Sequence, residues 1–310
     1  YLFVDGDVTL VDTGDWLAAT REQLTDALSD HGVGFADVDR IFLTHWHHDH
    51  TGLAGEIQAE SGASVHIHAA DAPLVAGDTD ATRALEAAHE RAFERWHVPE
   101  RKRAVLRERL TTREELTRTP DVRTFEGGAT FTVAGQKLRA VHAPGHAAGH
   151  VMFELEGSEV LSGDALLPRY TPNVGGADLR VKRPLAKYVG TLRAIADADY
   201  DRAWPGHREP IDDPTARAKA ILAHHEQRAA RVLDTLRRRG PCDIWTVSAE
   251  LFGDLDGIHI LHGPGECVAH LDHLESAGAV VAEGDQYRLA DGIADRLDTR
   301  DDERWPLKGE

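Results

Sequence analysis

Apolar residues alternate or recur at helical spacing along most of the chain. Leu2, Val4, Val8 and Leu10 alternate around Asp5-Gly6-Asp7, the pattern of a hairpin with one buried face. Trp16, Leu17, Thr20, Leu24, Ala27 and Leu28 then fall at helical spacing, which predicts an amphipathic helix over 15–30. Strands are expected at 40–44, at Val65–His68, at Thr130–Val133 and Lys137–His142, and in a hairpin made by Met152–Leu155 and Val160–Leu161. Residues 78–118 read as a helical pair broken near Val98-Pro99, with Leu85, Ala88, Ala92, Phe93 and Trp96 on one face. A helix at Leu185–Ile195 carries Tyr188 and Leu192 inward, and Arg202-Ala203-Trp204 forms a further strand.

A long helix is expected from Asp213 to Arg239, with Ile221, Ala229, Val232, Leu233 and Leu236 on its apolar face and Gly240-Pro241 to stop it. Short helices follow at Val247–Phe252 and Glu266–Ala277. A hairpin at Val280–Ala282 and Gln286–Leu289 turns at Gly284-Asp285.

The most informative stretch is Thr44-His45-Trp46-His47-His48-Asp49-His50-Thr51-Gly52, which directly follows the apolar run Ile41-Phe42-Leu43. Neutral imidazole is the commonest ligand for a borderline cation such as Zn²⁺, and a carboxylate can act as ligand or as proton acceptor for an activated water. Further downstream, Ala143-Pro144-Gly145-His146, Leu161-Ser162-Gly163-Asp164 and Trp204-Pro205-Gly206-His207 each end a strand-like run with small or turn-forming residues and one ligand-type side chain.

In this order the motifs resemble those of the metallo-β-lactamase superfamily, over about residues 1–212. The resemblance implies an α/β fold, an αββα sandwich of two face-to-face sheets with helices outside and metals at one edge. It matches His45, His47 and His146 to one metal site, Asp49, His50 and His207 to a second, and Asp164 to the carboxylate between them. Two zinc ions are the expected cofactors, with iron or manganese able to take the same ligands. Asp12, in Asp12-Thr13-Gly14, and His150 are expected to support the ligands rather than bind metal, and His66 and His68 to occupy sheet positions near the rim. The same resemblance places Tyr1 inside an early strand, so some native N-terminal sequence is expected to be missing.

Three regions are expected: a catalytic domain at 1–212 with the helical insertion 78–118, a linking helix at 213–239, and a domain at 240–310 that looks like a winged helix. That tail is similar to the C-terminal extension of a subgroup including a β-lactamase-like endoribonuclease. Its second helix carries Glu266, Asp272 and Glu275 without Lys or Arg, the wrong charge for a phosphate-lined groove. A packing or homodimer-forming role suits it better. Cys242, His259, His262, Cys267, His270 and His273 in this tail could supply a structural zinc, although no C-x₂-C pair is present.

Charge alters the picture of partners. The 310 residues carry a formal net charge of −18, with six lysines among 35 basic residues. Such a surface repels polyanions at low salt and suits a high-salt cytoplasm, so a halophilic, haloarchaeal source is expected. Two cysteines make no disulfide framework, and no apolar run approaches the ~20 residues that span a bilayer, so no membrane partner is expected. Between Arg91 and Arg118 the sign reverses locally, with nine basic residues to five acidic ones. In related folds an insertion here forms a lid, which makes Arg101, Lys102 and Arg103 candidate contacts for an anionic substrate. Arg169, Tyr170, Arg180, Lys182 and Arg183 are candidates in the loop leaving Asp164.

The expected chemistry is hydrolysis by a hydroxide bridging two metals, with Asp49 as the catalytic group that orients it and takes its proton. The winged-helix subgroup and the basic insertion favour a nuclease acting on single-stranded RNA or DNA. A thioester or lactone hydrolase similar to glyoxalase II is the alternative. A metal-binding scaffold without turnover and an iron-dependent oxygenase stay open.

Overall fold

The computed structural model describes residues 1–114 and 118–298. Glu115 of the expected helical pair and the tail beyond 298 of the expected C-terminal domain lie outside the described residues.

The chain opens with β1 (Leu2–Phe3) and β2 (Thr9–Val11), followed by α1 (Ala18–Ser29), β3 (Arg40–Phe42), α2 (His48–Thr51), α3 (Ala54–Ser61), β4 (Ser64–His68) and α4 (Ala72–Val75). The insertion forms α5 (Thr79–Arg95) and α6 (Glu100–Glu114), and β5 (Val122–Phe125) returns to the sheet. The first sheet has the order β1-β2-β3-β4-β5, antiparallel at β1 and parallel beyond it. The second is built from β6 (Thr130–Val133), β7 (Gln136–His142), β8 (Val151–Glu154), β9 (Glu159–Gly163) and, after α7 (Pro184–Ala198), β10 (Arg202–Pro205). Its order is β10-β9-β8-β7-β6, with β10 parallel to β9 and the rest antiparallel.

The sheets pack face to face because each strand presents apolar residues to the other. Val11, Phe42 and Phe125 of the first meet Val133, Leu138, Ala140, Val151, Phe153 and Leu161 of the second. Outside the first sheet, Leu28, Leu53, Ile57 and Val75 cover Leu10, Ile41, Val65 and Ile67. Outside the second, Leu185, Tyr188 and Leu192 of α7, with Ala218 and Ile221 of α8 (Pro214–Arg239), cover Val160 and Ala203. Helix, sheet, sheet and helix thus form the expected αββα sandwich.

The remaining elements are α9 (Ile244–Phe252), α10 (His259–Ser276), the hairpin β11 (Val280–Glu283) and β12 (Gln286–Leu289), and α11 (Ile293–Asp298). They share one core with the insertion and the end of α8, joining Phe93, Trp96, Leu106, Val232, Leu236, Val247, Leu271 and Tyr287. The helix offered as a groove reader, α10, begins at His259 rather than Glu266 and is buried along most of its length. Among the described residues, no helix is long and apolar enough to cross a membrane.

Candidate metal centre

The ligand-type side chains leave the sandwich at one edge, from loops that follow strands of both sheets. The loop after β3 carries His45 and His47, and α2 carries Asp49 and His50. The turn between β7 and β8 carries His146, the end of β9 leads into Asp164, and β10 leads into His207. Two glycines let these segments approach. A Cβ on Gly206 would lie 2.5 Å from Asp164 Oδ1 and 2.6 Å from His50 Cε1, and one on Gly145, at φ +140°, would lie 2.7 Å from Tyr188 Cα.

His47 Nδ1 lies 2.9 Å from His45 Nε2 and 2.9 Å from His146 Nε2. Hydrogen bonds fix what those nitrogens carry. Thr44 donates its hydroxyl proton to Asp12 Oδ2 over 2.8 Å, so its oxygen accepts from His45 Nδ1 at 3.0 Å. His146 Nδ1 donates to the Asn173 carbonyl at 2.8 Å. Both Nε2 atoms are therefore lone pairs in the neutral rings, and both point at one nitrogen of His47. A single N–H cannot serve two acceptors at full strength, whereas a cation between three lone pairs satisfies all of them. His45, His47 and His146 could hold one metal ion.

A second group, Asp49, His50 and His207, could hold another. His207 Nε2 lies 3.3 Å from Asp49 Oδ2 and 3.6 Å from Asp164 Oδ2, and His50 Nε2 lies 3.5 Å from Asp164 Oδ1. His146 Nε2 is 3.7 Å from Asp164 Oδ2, so this carboxylate faces both groups. Buried His50 Nε2 and Asp164 Oδ1 have no hydrogen-bond partner among the described residues, as expected of atoms aimed at a cation.

The electrostatics agree. Burial, reinforced by neighbouring imidazoles, holds His45 and His47 well below the usual imidazole range, so both are neutral and competent as ligands. Burial also opposes a charge on His50, but Asp12, Asp164 and Asp49 outweigh it and push this imidazole up to about 9. Burial would raise the Asp49 carboxyl, yet the bond from His207 and the nearby His50 and His47 hold it well below the usual carboxylate range.

Asp12 supports the ligands as expected, at φ +60°, accepting from Thr44 and from His50 Nδ1 at 2.8 Å. His150 also behaves as a support, its Nε2 accepting from the Asp164 backbone N–H at 2.9 Å. His66 stacks on Phe42 and His68 on His142, both outside the cluster.

One supporting group escapes a reading of the sequence. Asp71 accepts from the backbone N–H of Trp46 at 3.2 Å and of Gly149 at 2.9 Å. Asp178 accepts from Trp46 Nε1 at 3.1 Å and from the Ala148 N–H at 2.8 Å. Arg180 binds both carboxylates. This triad of two buried carboxylates and a half-buried guanidinium ties the turn between His45 and His47 to the turn between His146 and His150. Nothing in the spacing of residues 71, 178 and 180 reveals it. Arg180, expected in a substrate loop, belongs to this clamp.

Of the other expected substrate contacts, Lys102 and Arg103 are bound within the chain. Lys102 is buried, its ammonium donating to the Leu255 carbonyl at 2.6 Å and pairing with Asp254 at 2.9 Å. Arg103 donates to the carbonyls of Val98 and Phe93. Arg101 is exposed beside Asp254 and Asp256, which line a common cavity with it. Arg101 and Lys102 of α6 thus meet an acidic loop of the same chain. Arg169 pairs with Glu209 at 2.7 Å, and Tyr170, 45% exposed, lines an open cavity of about 500 Å³ against α8. Lys182 and Arg183 are exposed where α7 begins, and Arg183 lies near enough to His273 of α10 to help depress its pKa.

An aromatic rim adjoins the cluster. Trp16 meets the ring of His48 edge-on with centroids 5.2 Å apart, Trp46 lies 6.3 Å from the same ring, and Leu17 beside Trp16 is 53% exposed.

Comparison with known proteins agrees with this architecture. A metallo-beta-lactamase family protein of Thermus thermophilus, TTHA1429, has a crystal structure that superposes with a TM-score of 0.82 at 33% identity, covering 93% of this chain and 92% of that one. A probable metallo-hydrolase of Bacillus subtilis, YqjP, is 26% identical over 91% of this chain and 89% of its own length. The thioesterase pkgB of Emericella nidulans is 27% identical over 72% of this chain and 48% of its own length. The chain spans roughly half to two-thirds of the length of several other curated relatives it matches. The profile of the metallo-beta-lactamase superfamily matches residues 1–207, and with this sandwich and this convergent cluster the chain belongs to that superfamily.

Proposed function

We propose that the protein is a dinuclear metal-dependent hydrolase of acyl thioesters. The metallo-hydrolase part rests on the convergence of three imidazole lone pairs within 2.9 Å at His47. His45, His47 and His146 would hold one ion, Asp49, His50 and His207 the other, and Asp164 would face both. Divalent cations bound there lower the pKa of water from ~15.7 to about 7 and polarise a carbonyl oxygen. Zn²⁺ suits the imidazole and carboxylate donors, and iron or manganese can take the same set.

The chain's own groups then have defined tasks. Asp49, exposed at the mouth and kept ionised, takes the proton of the attacking water. Asp12 and Asn173 hold the ligand tautomers so that lone pairs point inward. Attack at the acyl carbon breaks the carbon–sulfur bond and gives a carboxylic acid and a thiol.

For the substrate, the carrying observation is that Lys102 and Arg103 are committed to intramolecular bonds and Arg101 sits beside Asp254 and Asp256. The nuclease expectation leaned on those cations as a polyanion-binding face. Next to Asp49 the rings of Trp16 and Trp46 instead flank His48, aromatic surface that would suit an acyl chain. The similarity to the thioesterase pkgB of Emericella nidulans supports the same direction.

The test sets an S-acyl thioester beside a labelled single-stranded RNA, with metal-loaded protein and Asp49→Ala as control. Thioester turnover lost in the variant, without RNA cleavage, is the expected result. RNA cleavage lost in the variant, without thioester turnover, returns the protein to the nuclease reading.

A further inference from the structure

Away from the cluster, α8 and α10 bring His225, Glu266 and His270 together in the interior, with ligand atoms all within 4.8 Å of one another. His225 and His270 are fully buried and Glu266 is 8% exposed. Interior positions of this kind are ordinarily apolar, and three ionisable side chains converging there call for a partner.

His270 Nδ1 contacts the Glu266 carbonyl at 2.8 Å, and since a carbonyl only accepts, this nitrogen carries the proton. Nε2 of the neutral ring is then a lone pair, and it faces His225 Nδ1 at 3.3 Å. If His225 donates from Nδ1, its buried Nε2 is left an unpaired acceptor, and that atom has no partner among the described residues. If His225 carries its proton on Nε2 instead, two lone pairs oppose each other and the N–H is unpaired. Each tautomer leaves the buried His225 Nε2 without a partner, and in the second a cation between His225 Nδ1 and His270 Nε2 would relieve the opposed lone pairs.

The surroundings are those of an oriented ligand set. A metal-binding histidine characteristically donates its other N–H to a carbonyl, as His270 does. A metal-binding carboxylate is itself held by a hydrogen bond, as Glu266 is by the Arg228 guanidinium, which lies over the Phe252 ring. A carboxylate offers about four lone-pair positions, so the bond from Arg228 leaves room for a cation.

We propose that His225, Glu266 and His270 form a structural metal site for Zn²⁺, separate from the centre at His45–His207, that cross-links α8 to α10. Two imidazoles and one carboxylate are borderline donors of the kind zinc takes, and water can complete the tetrahedron. His225 also packs edge-on against Tyr188 of α7, ring centroids 5.6 Å apart, and the Tyr188 hydroxyl donates to the carbonyl of Ala165, next to Asp164. The cross-link thus fastens the C-terminal helices to the layer directly behind the catalytic cluster.

The test counts metal. Chelator-treated full-length protein is reloaded with Zn²⁺, freed of excess by gel filtration and assayed by mass spectrometry. His225→Gln and His270→Gln are each expected to bind one equivalent fewer than wild type, with circular dichroism unchanged. The complementary variant His45→Ala/His50→Ala/His207→Ala, which removes at least one ligand from every group of the first centre, is expected to retain one equivalent and to lose thermal stability when that ion is chelated. Equal metal content in wild type and the two glutamine variants overturns the proposal. Should those variants fail to fold, absence of zinc from the triple variant overturns it by itself. No readout depends on turnover, so the outcome is separate from that of the thioesterase reading.

Discussion

Asp12 Oδ2 lies 2.8 Å from Nδ1 of His50, and the same carboxylate receives the Thr44 hydroxyl whose oxygen faces His45. One residue at the end of β2 therefore orients a ligand from each half of the metal centre. Removing such a support costs ~10–100-fold in metal affinity or activity without touching a ligand. Asp12→Ala is expected to weaken metal binding by that order, measured by competition with a chromophoric chelator, while the far-ultraviolet circular dichroism stays that of the wild type.

Metal binding should also release protons. Burial disfavours charge on His50, yet Asp12, Asp164 and Asp49 raise its pKa to about 9, so in the metal-free protein it is protonated at neutral pH. A ligand must bind as the neutral ring, so the cation displaces this proton. Apparent affinity then rises with pH below about 9, nearly tenfold per unit for this one proton, and flattens above it. Calorimetry at about pH 7.5 in buffers of different ionisation enthalpy is expected to show proton release, and a buffer-independent heat would contradict the assignment.

Lys102 makes the opposite kind of contribution. It belongs to stability rather than substrate binding, because its buried ammonium satisfies the Leu255 carbonyl. Lys102→Met leaves that carbonyl unpaired and is expected to cost about 1–3 kcal/mol in urea unfolding. KM for a thioester substrate should not change.

The clamp of Asp71, Asp178 and Arg180 acts on both ligand turns. Asp178→Ala removes the acceptor for Trp46 Nε1 and the Ala148 N–H, with an expected loss of about 2–3 kcal/mol. Because the two turns it joins carry His45, His47 and His146, kcat should fall as well. A full kcat in a destabilised variant would show that the ligand turns hold their geometry unaided.

The candidate metal-binding segments were legible in the sequence because ligand-type residues follow apolar runs directly, and a strand that ends at an edge delivers its next residues to one place. The layers followed from the same runs. What stayed hidden depends on distant partners. The helix α10 starts seven residues before the expected Glu266, running through Gly263, Pro264 and Gly265, which read as helix breakers. Gly265 serves close approach instead: a Cβ there would lie 2.2 Å from Gly176 Cα. Arg101 and Lys102 looked outward-facing because the Asp254 and Asp256 beside them lie about 150 residues away in sequence. β5 went unread because Val122–Phe125 is short, with only Phe125 buried. The helix expected from 15 begins at Ala18, since Asp15 accepts from the Leu17 N–H and Trp16 turns to His48.

The decisive experiment titrates chelator-treated protein with Zn²⁺ while following hydrolysis of an S-acyl thioester, in wild type and in Asp164→Ala. Turnover is expected to appear only as the ions bind and to be lost in the variant. Hydrolysis that persists without metal, or that survives loss of Asp164, would contradict the dinuclear mechanism.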